Sequence, residues 1–472
     1  MAAAIVLYPA PGIGHLLSMI ELSKLINHRY NHRFNMTILL TTGYFDTPNT
    51  DAFISSVALA YPSLSFIRYP YVPVDTSPTR SRAAICFEFI RLNDSNVLHS
   101  LKQISQTSKI QAFIIDFFCT SALTFASELK IPTYYFFTSG HAALAAYLYM
   151  PTIHKQVSKS FKDLKGTVLH FPGLPTIPAT HMPEPLLDRG DPAYNDMIYF
   201  SSHLPKSDGI LVNTFDELEP VAMAAISSGS CVPDMPTPPI YNIGPLIAQE
   251  NLETGDGGRR HECFSWLDSQ PSRSVVFLCF GSRGTFELSQ VREIANGLEK
   301  SEQRFLWVVK KGGSDLGSLL PDGFLERTKE KGLVVEDWAP QVAVLSHDSV
   351  GVFVTHCGWN SVLESVVAGK PMVAWPLYAE QHVNKAALVE DMKMAIPVEG
   401  REEDGMVAGD KLANLLTEFM DSEKGKALRE KSKEMREKAL AAMGGINGSS
   451  VAALAKLVST WTPGVSGRSD PA

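Results

Sequence analysis

Residues 350–376 read VGVFVTHCGWNSVLESVVAGKPMVAWP. An apolar run, VGVFVT (350–355), halts at a histidine, passes through Cys-Gly-Trp-Asn-Ser, enters a helix-like segment over 360–368 and returns to an apolar run at 371–376. Gly369 and Pro371 are the usual stop signals for such a helix. A buried strand, a glycine turn, a helix and a second buried strand form one β-α-β unit of a parallel sheet covered on both faces. Within the helix, Ser361-x-x-Glu364 has the form of a capping box. That cap has no need of His356, Gly358 or Asn360. A strand-to-helix turn at a glycine gathers backbone N–H groups and the positive end of a helix dipole, an arrangement that holds phosphate. On these residues alone, an anion site and a plain cap are equally good readings.

The same grammar extends outward in both directions. AAIVLYP (3–9), FNMTILLTT (34–42), IQAFIIDFF (110–118) and PTYYFF (132–137) read as strands, with helices at 16–27 and 120–130 between them. GILVNTFDEL (209–218) reads as a strand running into a helix. After a polar, glycine-rich stretch the pattern restarts with VVFLCFGS (275–282), a helix at 287–301, FLWVV (305–309) and LVVEDW (333–338), and a charged helical tail occupies 409–461. Two doubly wound α/β halves follow. The expected domains are 1–245 and 261–452, joined by a linker at 246–260, with a helix from about 453 to 472 packing back on the first half. In doubly wound sheets ligands sit beyond the carboxyl ends of the strands, and His15, Asp116, Ser282, Trp338 and His356 all fall at such ends.

Bulk properties narrow the function. The chain has 472 residues and a formal net charge of −8, with no block of Lys or Arg, which argues against nucleic acid or an anionic membrane as partner. Its six cysteines show no CxxC spacing and read as buried thiols of a reducing compartment. The N-terminus reads as a first strand instead of a signal peptide, and no apolar run reaches the ~20 residues of a membrane span. The expected home is the cytoplasm, and the expected state a monomer.

Residues 338–381, WAPQVAVLSHDSVGVFVTHCGWNSVLESVVAGKPMVAWPLYAEQ, carry a resemblance that is specific. W-A-P-Q, H-x8-H-C-G-W-N-S-x2-E, G-x-P, W-P and the closing E-Q match, without insertion, the signature box of plant secondary-metabolite glycosyltransferases that use UDP-sugars. The P-x-P-G-x-G-H start at 9–15, the F-G-S turn at 280–282 and Asp116 are similar too. The resemblance implies the GT-B fold, two Rossmann-like doubly wound α/β domains facing a cleft. It implies that Trp338 stacks on uracil, that the backbone of Ala339 pairs with the base edge, and that Gln341 and Glu364 face the ribose. Ser282, His356, Gly358, Asn360 and Ser361 match diphosphate positions, Thr138 a position near sugar and diphosphate, and Glu380 and Gln381 the positions holding sugar hydroxyls. Gln381 goes with glucose in that family. Neutral Trp359 stands where enzymes using UDP-glucuronate tend to carry Arg, so UDP-glucose is expected first, UDP-galactose and UDP-xylose poorer, and UDP-glucuronate poorest.

His15 follows PGIG. Gly12-x-Gly14 resembles part of a dinucleotide fingerprint, but Leu17 replaces the third glycine and the second strand ends without an acid, so that reading fails. In the resembled family this His is the general base and Asp116 orients it, giving inversion at the sugar and a β-glycoside. The chain contains no Asp-x-Asp, so neither metal nor cofactor is expected beyond the UDP-glucose co-substrate. The acceptor is expected on the first half, against Phe87, Phe117, Phe118, His141 and the loop at 181–187. An aromatic-lined pocket suits a flat phenolic such as a flavonoid, and the opening and the CFGSRGTF turn resemble the flavonoid and dihydrochalcone branch. Transfer to an aromatic carbon, and a non-catalytic UDP-sugar binder, are the alternatives.

Overall fold

A computed structural model describes residues 2–47, 50–248, 260–313, 315–401 and 403–461. The chain divides into two compact units: residues 1–248 with 441–472, and residues 249–440. Of the expected linker at 246–260, residues 249–259 lie outside the described residues. The last helix runs Ser449–Trp461 and belongs to the first unit, starting four residues before the expected 453, and the expected stretch beyond 461 is outside the described residues.

The first unit is built on strands β1 (Ala2–Tyr8), β2 (Asn35–Thr42), β3 (Leu64–Tyr71), β4 (Ser108–Asp116), β5 (Thr133–Phe137), β6 (Gly209–Val212) and β7 (Ile240–Asn242). They form one parallel sheet in the order β3-β2-β1-β4-β5-β6-β7. The second unit holds β8 (Val275–Cys279), β9 (Arg304–Val309), β10 (Gly332–Glu336), β11 (Val350–Thr355), β12 (Met372–Ala374) and β13 (Ala395–Pro397), parallel in the order β10-β9-β8-β11-β12-β13. Both sheets therefore wind outward from their first strand in one direction, then return and wind in the other. The reversal lies between β1 and β4 in one unit and between β8 and β11 in the other. Each unit is the expected Rossmann-like doubly wound fold.

Continuous apolar runs become the central strands because both of their faces are covered. Every residue of β11 is buried, as are the last five of β1. In the first unit, Leu454, Leu457, Val458 and Trp461 of the final helix join the core, and Trp461 meets Phe34 and Tyr134 edge-on at 6.0 and 5.9 Å. Three edge strands, β3, β7 and β13, were not expected from the sequence. They are short or partly exposed, and β3 and β13 contain Pro70 and Pro397, which edge positions tolerate because a missing N–H costs no ladder bond there. The helix expected directly after β6 begins only at Pro220. Residues 213–219 instead spend their side chains on tertiary bonds: Asn213 to Leu246, and Glu219 to the start of the helix His141–Gln156.

Candidate active site

In the first unit, Tyr8 of β1 is in register with Ile115 of β4, so Asp116 emerges beside the loop leaving β1. That loop turns at Gly12, whose φ of +117° is open to glycine, and enters the helix Ile13–Arg29 three residues earlier than the sequence suggested. His15 thus lies in the helix's first turn. Its Nδ1 is 2.8 Å from Asp116 Oδ2, while Asp116 Oδ1 accepts the Phe118 N–H at 3.0 Å. Asp116 is fully buried and the His15 side chain is 27% exposed. A carboxylate held at both oxygens fixes the imidazole with its proton on Nδ1, which leaves the lone pair on Nε2, the arrangement of a general base.

Aromatic rings wall this pair. Phe117 and Phe118 lie 5.8 and 5.5 Å from the His15 ring, and Phe87 meets Phe118 edge-on at 5.4 Å. Phe118 and Phe87 also line a cavity of about 400 Å³ together with Ile90, Tyr199 and Phe200. Phe117 is buried behind them against Phe137 and Phe200. His141 does not belong to this wall, contrary to expectation. It is fully buried, its Nε2 bonds Asn242 Oδ1 at 2.7 Å, its backbone N–H donates to Glu219, and burial pulls its pKa down to about 4. Its Nδ1 makes no hydrogen bond among the described residues, and the ring lies in the core. In the 181–187 loop, Met182 and Leu186 are likewise core. Thr138 is half-buried immediately beyond β5.

In the second unit, Ser282 follows β8 and His356 follows β11, again at the strand reversal. Cys357 takes a left-handed φ of +64°, and its backbone is held by Thr355 Oγ1 and by Asn384 Nδ2. The imidazole of His356 is pressed between two glycines: a Cβ on Gly281 or Gly358 would lie 2.6 or 2.4 Å from its Nε2. His356 is 6% exposed and burial lowers its pKa to about 4, so at neutral pH it is an uncharged hydrogen-bonding group. Its Nδ1 and the Oδ1 of Asn360 are buried with no hydrogen-bond partner among the described residues. Buried polar atoms seldom stay unpaired; these two belong to residues flanking the start of a helix.

That helix runs Trp359–Ala368, and Gly358 is its N-cap. The capping-box reading therefore fails: Ser361 lies inside the first turn, too late to cap. Ser361 Oγ and Glu364 Oε2 instead both accept from Gln341 Nε2, at 2.8 and 2.6 Å. Burial raises the Glu364 pKa to about 7, and the Gln341 bond opposes that rise. Trp338 is 53% exposed and meets His261 edge-on at 5.8 Å, so it is not a core residue but an open aromatic face. Ala339 is buried beside it, and Trp359 is buried in the helix's first turn.

Gln381 is buried, and its Oε1 accepts the N–H groups of Leu377 and Tyr378, both at 2.9 Å. The resemblance makes Gln381 a holder of sugar hydroxyls, for which an amide has both a donor and an acceptor. Both lone pairs of the oxygen are taken by backbone and the amide also bonds the Tyr378 side chain, which leaves one N–H of Nε2 for a ligand. Gln381 opens the helix Gln381–Ala386, and Glu380 is its N-cap. One residue escaped the sequence reading: Arg283, next to Ser282, stacks on Tyr378 at 4.8 Å, and Tyr378 lies 6.1 Å from His356. Only its place next to the FGS turn could have flagged it.

The family model for UDP-glucoronosyl and UDP-glucosyl transferase matches residues 222–440. UDP-glycosyltransferase 88F3 of Pyrus communis is 56% identical over 482 residues, spanning 98% of this chain and 100% of that protein. Phloretin 2'-O-glucosyltransferase of Malus domestica is 53% identical over 484 residues, with the same 98% and 100% coverage. Among solved structures, Phytolacca americana UGT2 complexed with UDP-2fluoro-glucose and pterostilbene is similar at a TM-score of 0.88 and 35% identity, covering 98% of this chain and 100% of that one. With likeness sustained along its whole length, in motif and in fold, the chain belongs to the plant UDP-glycosyltransferases of the flavonoid branch and is a GT-B glycosyltransferase.

Proposed function

We propose that this enzyme moves glucose from UDP-glucose to a hydroxyl of a flavonoid-like phenolic, with inversion, to give a β-glucoside. The observation that carries the reading is the His15–Asp116 pair set against Phe118 and the aromatic cavity. A flat phenol against that wall presents its hydroxyl to Nε2. Nε2 takes the proton as the oxygen attacks the anomeric carbon of the donor, and buried Asp116 stabilises the imidazolium that forms. Dihydrochalcone and flavonoid acceptors are supported by the relatives whose names specify phloretin and anthocyanidin.

On the donor side, Trp338 offers its open face to uracil, and Glu364, when ionised, accepts from ribose hydroxyls. The diphosphate lies at the Gly358 helix start, where backbone N–H groups, neutral His356 and Asn360 supply donors and Arg283 supplies charge. The leaving group is stabilised without a metal. Gln381 contributes one donor to the sugar, and UDP-glucose is preferred over UDP-galactose, UDP-xylose and UDP-glucuronate. No described helix is long and apolar enough to cross a membrane, and we place the enzyme in the cytoplasm as a monomer. The test is incubation with UDP-glucose and a panel of phenolics, read by mass. Gain of one hexosyl unit by wild type, and its loss in His15→Ala, is expected. Equal turnover by His15→Ala would refute the base, and transfer to carbon would redirect the product assignment.

A further inference from the structure

The second unit carries a basic pocket at the end of its sheet remote from the nucleotide turn. A cavity of about 320 Å³ opens where β11 begins, at Val350 and Gly351, and where the helix Trp359–Ala368 ends, at Gly369 and Lys370. The nucleotide turn lies at the other end of both elements, about 20 Å away for six strand residues at ~3.3 Å each.

Five cations line the cavity: Arg273, Lys370, Arg429, Lys433 and Arg436. Only two carboxylates, Asp348 and Glu430, join them. None of the seven forms an ion pair among the described residues, whereas lysines on other faces of the same region do. The contrast is sharpest on the helix Glu423–Met443. Lys426, Lys431 and Lys438 are bridged to Glu423 and Glu434. Arg429, Lys433 and Arg436, spaced i, i+4 and i+7, share the face turned to the cavity. The half negative charge of the neighbouring helix end offsets only part of this excess.

The cations are partly anchored in place. Lys370 Nζ donates to the carbonyls of His347 and Val350 at 3.0 and 2.8 Å, and Arg436 Nε donates to that of Val367 at 3.1 Å. Lys370 keeps a third N–H, and the terminal amino groups of Arg436 make no hydrogen bond among the described residues. Burial, with Arg273 and Arg436 adding repulsion, lowers the Lys370 pKa to about 8. Like charges held this close in a concave site are relieved by a bound polyanion.

We infer that this pocket binds a small polyphosphate, through Lys370, Lys433 and Arg436, at a site separate from the UDP-sugar; Arg429, whose Nη1 and Nη2 donate to the Phe419 and Met420 carbonyls at 3.3 and 3.4 Å, adds charge. A concavity of this size suits a small molecule, and its carboxylates set it apart from a uniformly basic nucleic-acid face. Inorganic pyrophosphate and a nucleoside triphosphate share the required chemistry.

The test is calorimetry on the full chain with UDP saturating the nucleotide site, titrating pyrophosphate in one arm and ATP in the other. Binding of either in the presence of UDP is expected, weakened at least tenfold in Lys433→Glu/Arg436→Glu, with UDP affinity and thermal melting of that variant unchanged. Tighter binding of one probe names the source. Lys370→Gln, which keeps a hydrogen-bond donor, serves as the second variant if the charge reversal unfolds the chain, and is expected to weaken binding similarly. The inference is overturned if neither probe binds, if UDP displaces both, or if folded variants bind as wild type does.

Discussion

Glu364 offers the most exacting test of the donor site. Its carboxyl titrates near 7 instead of at the ordinary 4.5, because burial outweighs the single bond from Gln341. If two ribose hydroxyls donate to the ionised form, UDP-glucose binding requires proton loss below pH 7. One pH unit below the pKa then costs about tenfold in affinity, or ~1.4 kcal/mol, and two units about a hundredfold. His356 stays neutral down to about 4 and adds nothing in this window. Glu364→Gln cannot ionise, so its weaker binding should be flat between pH 5 and 8. The same shift acts on stability. Between 4.5 and about 7 the folded chain holds a proton that the unfolded chain has lost, so stability falls as pH rises across that window and is level above it. Glu364→Gln should therefore be more stable than wild type at pH 8, by up to ~3 kcal/mol, with the gain fading towards pH 4.5. Calorimetry with UDP-glucose, which has no phosphate ionising near neutrality, and urea melts at each pH measure both. A flat wild-type profile, or the same slope in Glu364→Gln, would refute the assignment.

Asp116→Asn has one oxygen where two are needed, for the Phe118 N–H and for His15 Nδ1. The amide will set the wrong imidazole tautomer and cut kcat by about 10²–10⁴ while the melting temperature holds; kcat within tenfold of wild type would remove Asp116 from the mechanism. Trp338→Ala should leave stability within about 0.5 kcal/mol, as for other exposed sites, yet weaken UDP binding by roughly 0.5–1.5 kcal/mol; unchanged affinity by calorimetry would end the stacking assignment. Gly358→Ala drives a Cβ into His356 and should cost about 1–3 kcal/mol, together with a raised KM for UDP-glucose, both read from melts and initial rates. EDTA should leave turnover intact, and loss restored by Mg²⁺ would show a metal requirement.

The fold was legible where physics is local. Apolar runs such as VGVFVT and AFIID mark strands buried on both faces, and Gly358 after the first of them marks its turn. Edge strands such as Ala395–Pro397 were not legible, because three residues against one neighbour leave no pattern to read. The capping box misled because Ser-x-x-Glu is also what a helix shows when both residues face a glutamine from another segment. His141 misled for a related reason. A histidine opening a helix after an aromatic strand looks the same whether it meets solvent or a buried asparagine, and Asn242 lies a hundred residues away. Gln381 was identified, but the two backbone N–H groups that consume its oxygen come from a turn whose shape the sequence does not spell out.

His15 and His356 make the same point about function. Each follows a central strand at the reversal of its sheet, beside a glycine and at the start of a helix. Their duties differ because their surroundings do. His15 is partly exposed and tied at Nδ1 to a buried carboxylate, so it can accept a proton and have the resulting charge balanced. His356 is enclosed by two glycines with no carboxylate bonded to it, and burial holds it neutral. It can donate to a phosphate oxygen but cannot hold a positive charge at neutral pH. A carboxylate placed beside His356 would raise its proton affinity and also repel the diphosphate, so the donor turn works only without the partner that the acceptor turn requires. Two strand-to-helix turns are thereby divided between proton transfer and anion binding by the presence or absence of a single aspartate.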